Sequence, residues 1–250
     1  MKITIITPTY NSAKTLSRTI DSVISQNYNN LEYIIIDGVS TDGTQKIIEA
    51  YGDKINIKII SEPDNGIYDA MNKGVKLATG EIIGILNSDD FYHSSNVLDT
   101  VSKAFESSDV DAIYGDLKYF DNDINKITRY WKTGEYNESK LNNGWIIPHP
   151  TLFVKKYVYD NCGLFNTNFK ISADYEFILR ILKISKIEIK YIPETFVRMY
   201  EGGTSGRNLK QRKNGWKELK MAWTVNGLKT PCFYNIRRVT FKLKQLVFKK

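Results

Sequence analysis

Two adjacent carboxylates, Asp89 and Asp90, close the stretch Ile83–Asp90 (IGILNSDD) after a run of apolar and small residues. Such a run reads as a buried strand of a parallel sheet. The carboxyl end of that strand is where open α/β sheets bind ligands. Carboxylates in contact repel each other and cost energy unless a cation answers them. Mg²⁺ and Mn²⁺ take oxygen ligands and share them with phosphates. The plainer reading is a loop whose carboxylates face water or cap the next helix.

Four further residues have the types and settings for chemistry. Asp37 ends the strand-like EYIIID run at Glu32–Asp37. Burying a carboxylate is costly, so it must serve a ligand or cap the following turn. Asp174 and Glu176 open the amphipathic stretch Ala173–Leu182. Either could take a proton as a general base, although Asp174, after Ser172 and Ala173, could also be a helix cap. His149 lies between Pro148 and Pro150. It could meet a metal, a phosphate or an acceptor, or simply be fixed by its prolines. His93, just after the acidic pair, reads as a surface or helix-start residue.

The elements that must position these residues are legible in the periodicity. Lys2–Thr7 is a β-branched run stopped by Pro8, and Leu16, Ile20, Val23 and Ile24 recur at helical spacing. Strands are expected at Glu32–Asp37, Asn56–Ser61 and Glu81–Leu86, with helices through Ile47–Tyr51, Ile67–Ala78 and Val97–Phe105. This alternation implies right-handed βαβ units and a parallel sheet with helices on both faces. Thr9 and Tyr10, Asp37, Asp64, and Asp89 with Asp90 should then gather along one sheet edge. After Asp111 the rhythm changes. Ala112–Phe120 and Lys126–Lys132 suggest a hairpin, Asn142–Pro150 a loop, Thr151–Lys155 a short strand, and Ile187–Tyr200 an extended segment broken by Pro193.

The composition is that of a globular chain: 250 residues, 42% hydrophobic and 25% charged. Cys162 and Cys232 form neither a metal spacing nor a disulfide framework, so a reducing, cytoplasmic setting is expected. The first residues, MKITIITPTY, are too short for a signal-peptide core, and no apolar run reaches the length of a membrane span. The net charge of +7 divides unevenly. Residues 1–206 hold 22 Lys+Arg against 27 Asp+Glu, a balance of −5, whereas residues 207–250 hold 13 against the single Glu218, a balance of +12. The basic end mixes Lys and Arg with Trp216, Trp223, Phe241 and several leucines. That mixture describes a helix in a membrane interface, the alternative being a helix packed on the body with its lysines in water.

Five segments in order resemble the inverting family 2 glycosyltransferases of GT-A fold. They are TPTYN at Thr7–Asn11, IIIDGVSTDGT at Ile34–Thr44, DNGIYDAMNKG at Asp64–Gly74, ATGEIIGILNSDD at Ala78–Asp90 and ISADYEF at Ile171–Phe177. The resemblance covers roughly residues 1–205 and is closest to short bacterial enzymes that build O-antigen, capsule or exopolysaccharide repeat units.

The fold it implies is the GT-A nucleotide-diphospho-sugar transferase fold, a mainly parallel sheet flanked by helices. Residues 1–206 would form that domain, with 1–111 as the nucleotide-binding half, 112–206 as the acceptor-binding half, and 207–250 as a basic amphipathic helical tail. The resemblance implies a nucleotide-sugar donor, with UDP the favoured carrier. It places Pro8, Thr9 and Tyr10 around the base, Tyr10 stacking on it and Asp37 accepting a hydrogen bond from it. Asp64, Asn72, Asn87 and Ser88 would be further donor contacts. Asp89, with Asp90, would hold Mn²⁺ or Mg²⁺ (manganese or magnesium). The family's first metal-motif position is commonly Asp and is Asn87 here, which leaves one carboxylate in the aligned pair.

Asp174 aligns with the catalytic base, with Glu176 as its understudy. His149, Glu176 and Arg207 are possible acceptor or phosphate contacts. Gly202–Gly206 (GGTSG) reads as a lid over the diphosphate or a plain linker. The implied acceptor is an undecaprenyl-pyrophosphate-linked saccharide at the inner face of the plasma membrane.

Two other readings compete. A scaffold that binds nucleotide sugar without turning it over rests on Asn87 alone. A nucleic-acid arm has no accompanying motif, and the acidic body opposes it, so no nucleic-acid partner is expected. A dinucleotide dehydrogenase is excluded because no GxGxxG turn follows the first strand.

Overall fold

A computed structural model describes residues 1–52, 57–202 and 209–247. The first half alternates strand and helix: β1 (Ile3–Thr9), α1 (Leu16–Ile24), β2 (Leu31–Asp37), α2 (Thr44–Tyr51), β3 (Ile57–Ser61), α3 (Ile67–Leu77) and β4 (Ile82–Ile85). Next come β5 (Phe91–Tyr92), α4 (Val97–Glu106), β6 (Ala112–Phe120), β7 (Ile127–Trp131), α5 (Glu138–Asn142) and a 3₁₀ turn at His149–Thr151. The chain continues through β8 (Leu152–Lys155), α6 (Lys156–Cys162), α7 (Ala173–Lys183), β9 (Ile189–Tyr200), α8 (Leu209–Val225) and α9 (Tyr234–Val247).

One sheet runs in the order β3-β2-β1-β4-β8-β6-β9-β5, with β7 added on β6. Its central strand β1 is buried along its whole length, as expected where helices cover both faces. Ladders β1–β2, β1–β4 and β2–β3 are parallel, so their carboxyl ends share one edge. Thr9 stands opposite Asp37, and Asp37 opposite Ser61.

Beyond β4 the sheet becomes mixed. β8 pairs antiparallel with both β4 and β6, and the β6–β7 hairpin lies where the sequence places it. Short connections reverse the chain, and only β9, reached through α7, runs parallel to β6. The expected break at Pro193 is absent, and β9 passes through it. Instead the β6–β9 register slips between Tyr114, opposite Tyr191, and Asp116, opposite Thr195. Proline lacks an N–H, and the slip accommodates it.

The basic end also departs from expectation. Leu219, Ala222, Trp223 and Tyr234 are buried, and Phe241 packs against the core. Trp223 Nε1 donates to the Tyr175 hydroxyl at 2.8 Å, which bonds the Tyr234 hydroxyl at 2.6 Å. Gly144, at φ +88°, lets α9 come so close that a Cβ there would stand 2.6 Å from Arg238 Cα. Trp223 and Phe241 are therefore packing residues and not lipid anchors. The described part of 207–250 is a helical pair closing the α7 side of the body, because its tryptophan and tyrosine find hydrogen-bonded partners there.

Candidate active site

The loops after β1 and β2 interlock at the carboxyl edge. Asn11 donates its backbone N–H to Ser40 Oγ at 2.8 Å and accepts from Thr41 N–H on its Oδ1 at 2.9 Å. Both loops carry left-handed residues, Asn11 at φ 50° and Val39 at φ 61°. That conformation is strained for a β-branched side chain, and such strain persists where surroundings over-determine it, often at ligand clamps.

A cradle opens beside them. A Cβ on Gly38 would stand 2.6 Å from Asp64 Oδ2 and 3.3 Å from the Tyr10 ring, so the glycine lets these two side chains converge. Tyr10 is 63% exposed, leaving its ring face available for stacking, whereas Pro8 and Thr9 are buried in β1. Of these three, Tyr10 is thus the side chain that faces outward.

Asp37 is wholly buried and accepts from Ser40 N–H and Oγ, Gln45 Nε2 and Ser61 Oγ. Those bonds hold its pKa below the ordinary carboxylate value against the opposing pull of burial. They are the bonds of the turn-capping role, and a base contact would have to displace one of them. Asn72 is also committed. Its amide donates to the Phe165 carbonyl at 2.8 Å and accepts from the Phe165 N–H at 2.9 Å, clamping α3 to the loop before α7. The expected donor contact at Asn72 gives way to this clamp.

The acidic pair divides into two environments. Asp89 is partly exposed, while Asp90 is wholly buried. Asp90 accepts from Tyr200 N–H at 3.2 Å and Asn87 Nδ2 at 3.3 Å. Burial, and then the charge of Asp89, push its pKa well above the ordinary range. Asp90 is thus enclosed by Tyr200 and Asn87, and Asp89 is the carboxylate of the pair that reaches the open edge. Arg18 lies alongside, its guanidinium over the rings of Phe91 and Phe120 at 5.1 and 4.9 Å and 3.3 Å from the Asp89 carbonyl. Ser88 Oγ pairs with Ser12 Oγ at 2.8 Å. The buried Asn87 Oδ1 has no protein partner among the described residues.

Asp90 gives a stability test. In the unfolded chain its carboxyl ionises near about pH 4. Above that pH the native state holds the extra proton, so stability falls as pH rises toward the raised native pKa. Asp90→Asn has no proton to lose. The melting temperature of the variant relative to the parent should therefore grow as pH rises above about 4. A constant difference would mean that Asp90 is ionised in the fold.

Asp174, in the first turn of α7, is held on both sides. The Tyr68 hydroxyl lies 3.0 Å from its Oδ1, and His149 Nδ1 lies 3.6 Å from its Oδ2. Burial and the charge of Asp174 raise the Tyr68 pKa, so the phenol remains a donor. Burial lowers the His149 pKa although Asp174 and Asp89 pull it upward, so the ring is neutral at pH 7. His149 thus sits within electrostatic reach of both carboxylates. Its Nε2 is buried without a partner among the described residues. Ile85, His149, Tyr159, Phe165 and Asp174 line a small cavity here.

Glu176 does not share this position. It is buried, paired to Arg180 Nε at 2.9 Å and bonded by Asn226 Nδ2 at 3.1 Å. Two residues along a helix turn the side chain to another face, which removes Glu176 as an understudy base or acceptor contact. Arg207 and most of the GGTSG segment lie outside the described residues. His93 accepts from Arg198 Nε on its Nδ1 at 2.9 Å, in a structural pair. Sequence reasoning missed Tyr68 and Arg18. Tyr68 stands inside the DNGIYDAMNKG segment, but its partner Asp174 is 106 residues away.

Among the described residues no three His, Cys, Asp or Glu side chains gather to cage a metal ion. A single partly exposed carboxylate, Asp89, suits an ion that brings its other oxygen ligands with it as phosphate and water.

A parallel sheet edge carrying these polar groups, continued by a mixed half bearing Asp174, defines a GT-A type transferase. Residues 4–163 match Glycosyl transferase family 2, more than half of the chain, and the protein belongs to that family. The PGL/p-HBAD biosynthesis glycosyltransferase of Mycobacterium tuberculosis is 29% identical over 191 residues, 75% of this chain and 72% of that protein. Chondroitin synthase of Pasteurella multocida is 29% identical over 85% of this chain, which spans only 22% of that protein. Among solved structures, S. aureus TarS 1–349 in complex with UDP-GlcNAc superposes with TM-score 0.70 at 18% identity, covering 99% of this chain and 73% of that one. This chain covers 44% of a longer TarS structure. The mannosyltransferase PcManGT of Pyrobaculum calidifontis, in complex with GDP-Man and Mn²⁺, superposes with TM-score 0.68 at 19% identity, covering 97% and 69%.

Proposed function

We propose that this glycosyltransferase moves a sugar, with inversion, from a UDP-sugar to a hydroxyl of a lipid-pyrophosphate-linked saccharide in bacterial surface-polysaccharide assembly. The observation that carries this reading is the Asp174 carboxylate, 3.0 Å from the Tyr68 hydroxyl and 3.6 Å from His149, a histidine that also feels the charge of Asp89. In the reaction the acceptor oxygen bonds to the anomeric carbon as the bond from that carbon to the diphosphate oxygen breaks. The electron pair leaves with the diphosphate, and the hydroxyl proton passes to Asp174. Attack from the face opposite the diphosphate inverts the configuration. Tyr68 orients the base, and neutral His149 lines the acceptor side without adding a competing charge.

Tyr10 and Asp64 would hold the nucleoside, and Asn87 Oδ1 is a ready acceptor for a ribose hydroxyl. Asp89 would hold Mg²⁺ or Mn²⁺. The ion supplies positive charge against the departing diphosphate when bound. The TarS complexes with UDP and UDP-GlcNAc favour a uridine carrier, while the GDP-Man complex of PcManGT shows that this fold also accepts guanosine. A donor panel with a synthetic sugar-pyrophosphate-lipid acceptor, read by mass spectrometry and by NMR of the new anomeric centre, tests the reading. A product that retains the donor's configuration would overturn it.

A lipid acceptor requires a membrane surface, and α9 offers one. Ile236, Val239 and Leu243 are 62, 41 and 54% exposed, at helical spacing that turns them away from buried Tyr234, and Phe233, just before the helix, is 75% exposed. An apolar outward face in a segment of balance +12 suits an anionic leaflet. No helix among the described residues is long and apolar enough to cross a membrane. Changing Phe233, Ile236 and Leu243 together to Ser should abolish sedimentation with vesicles containing anionic lipid. Binding by the parent should weaken with salt, which screens charge over about 8 Å at physiological ionic strength. Equal sedimentation of parent and variant would remove α9 as the docking face.

A further inference from the structure

The basic end of the chain holds one carboxylate, and the fold commits it to a single loop. Glu218, on α8, is the only acidic residue at positions 207–250, against 13 Lys and Arg. Its Oε1 accepts from the Lys170 N–H at 3.0 Å, and its Oε2 from the Ile171 and Ser172 N–H groups at 2.9 and 2.8 Å. Hydrogen bonds to an ionised acceptor are about twice as strong as neutral ones. The same loop is gripped from its other side, where the Tyr68 hydroxyl lies 2.8 Å from the Ile171 carbonyl and 3.0 Å from Asp174 Oδ1. Ser172 stands at the N-cap of α7 but makes no side-chain cap bond. The start of the helix that carries Asp174 is therefore set from another helix, 46 residues further along the chain.

We infer that Glu218 is a positioning residue for transfer: by fixing Lys170–Ser172 it holds Asp174 against Tyr68, and α8 is part of the catalytic apparatus. The inference rests on Asp174 being the base. Misplacement of a reacting group by about 1 Å costs on the order of 100-fold in rate, so a loop held by three bonds to one side chain is a sensitive point. Loss of Glu218 leaves α8 docked, since Trp223 still bonds Tyr175 and Asn226 still bonds Glu176. The carboxylate can thus be removed without detaching the helix.

The test compares Glu218→Gln and Glu218→Asp in the full chain, each alone and Glu218→Gln also combined with Asp174→Asn. With a soluble acceptor, kcat of Glu218→Gln should fall roughly 10- to 100-fold while UDP affinity stays within about twofold. Glu218→Asp, which keeps the charge one methylene short, should lie between parent and Gln. Amide exchange at Ile171 and Ser172 should quicken in Glu218→Gln. In the Asp174→Asn background the Gln substitution should cost nothing more, because a base already absent cannot be displaced. An unchanged kcat in Glu218→Gln, or an equal further loss in the Asp174→Asn background, would overturn the positioning role. Normal turnover by Asp174→Asn alone would instead overturn the base assignment and the inference with it. If Glu218→Gln fails to fold, Glu218→Asp carries the test alone, and parent-like kcat together with quickened exchange at Ile171 would then overturn the role.

Discussion

Asp174→Asn is expected to bind UDP as the parent does and to turn over roughly 10²- to 10⁴-fold more slowly, the range for loss of a positioned general base. The carboxamide has the size of the carboxylate and can still accept from Tyr68, whose hydroxyl lies 3.0 Å away. It cannot take a proton from the acceptor hydroxyl. Glu176 is paired with Arg180 and so does not stand ready to substitute. Calorimetry with UDP and steady-state rates with a soluble acceptor separate the two effects. Near-parent turnover would hand the proton to His149, whose Nδ1 lies 3.6 Å from the same carboxylate, or would favour a route without a protein base. A scaffold that binds donor without transfer would show no turnover in the parent either.

The second large effect is expected at Asp89. Asp89→Ala should abolish Mg²⁺- or Mn²⁺-stimulated transfer and remove the metal-dependent part of UDP affinity. Asp90 is wholly buried and accepts from the Tyr200 N–H, so Asp89 is the carboxylate of the acidic stretch that is exposed at that edge. Metal-free UDP affinity should change little, because Tyr10 and Asp64 lie in a separate cradle around Gly38. Titrating UDP with and without the ion checks both statements. Unchanged metal-dependent affinity would take Asp89 out of the ion's shell.

What could be read from the chain and what could not follows from the range of the interactions. The βαβ rhythm is local, written in β-branched runs such as ITIITPT and in helical spacing, so β1–β4 and their common edge were foreseeable. The environments of neighbouring residues were not. Asp89 and Asp90 are the same residue type side by side, and Tyr200, brought in by the last strand, decides which is buried. Asp174 and Glu176 share one helical turn, and the difference between them is set by Arg180 and Asn226. At the basic end the lysine content concealed an inward stripe of Leu219, Ala222 and Trp223, whose partner Tyr175 is 48 residues away.

The pairing of β5 bears on how this enzyme comes into being. Phe91 and Tyr92, directly after the acidic stretch, pair with Arg198 and Val197 of β9, and Asp90 awaits an N–H that is 110 residues further along. At about 5–20 residues per second, a ribosome needs on the order of 10 s to supply that stretch. Until β8 is made, earlier than β9, β4 shows an unpaired flank, and unpaired strand edges invite association with other chains. During those seconds the growing polypeptide has the β1–β3 edge but lacks the strand that encloses Asp90 beside Asp89. The acidic stretch therefore takes its final geometry only after β9 is made, late in the synthesis of the chain.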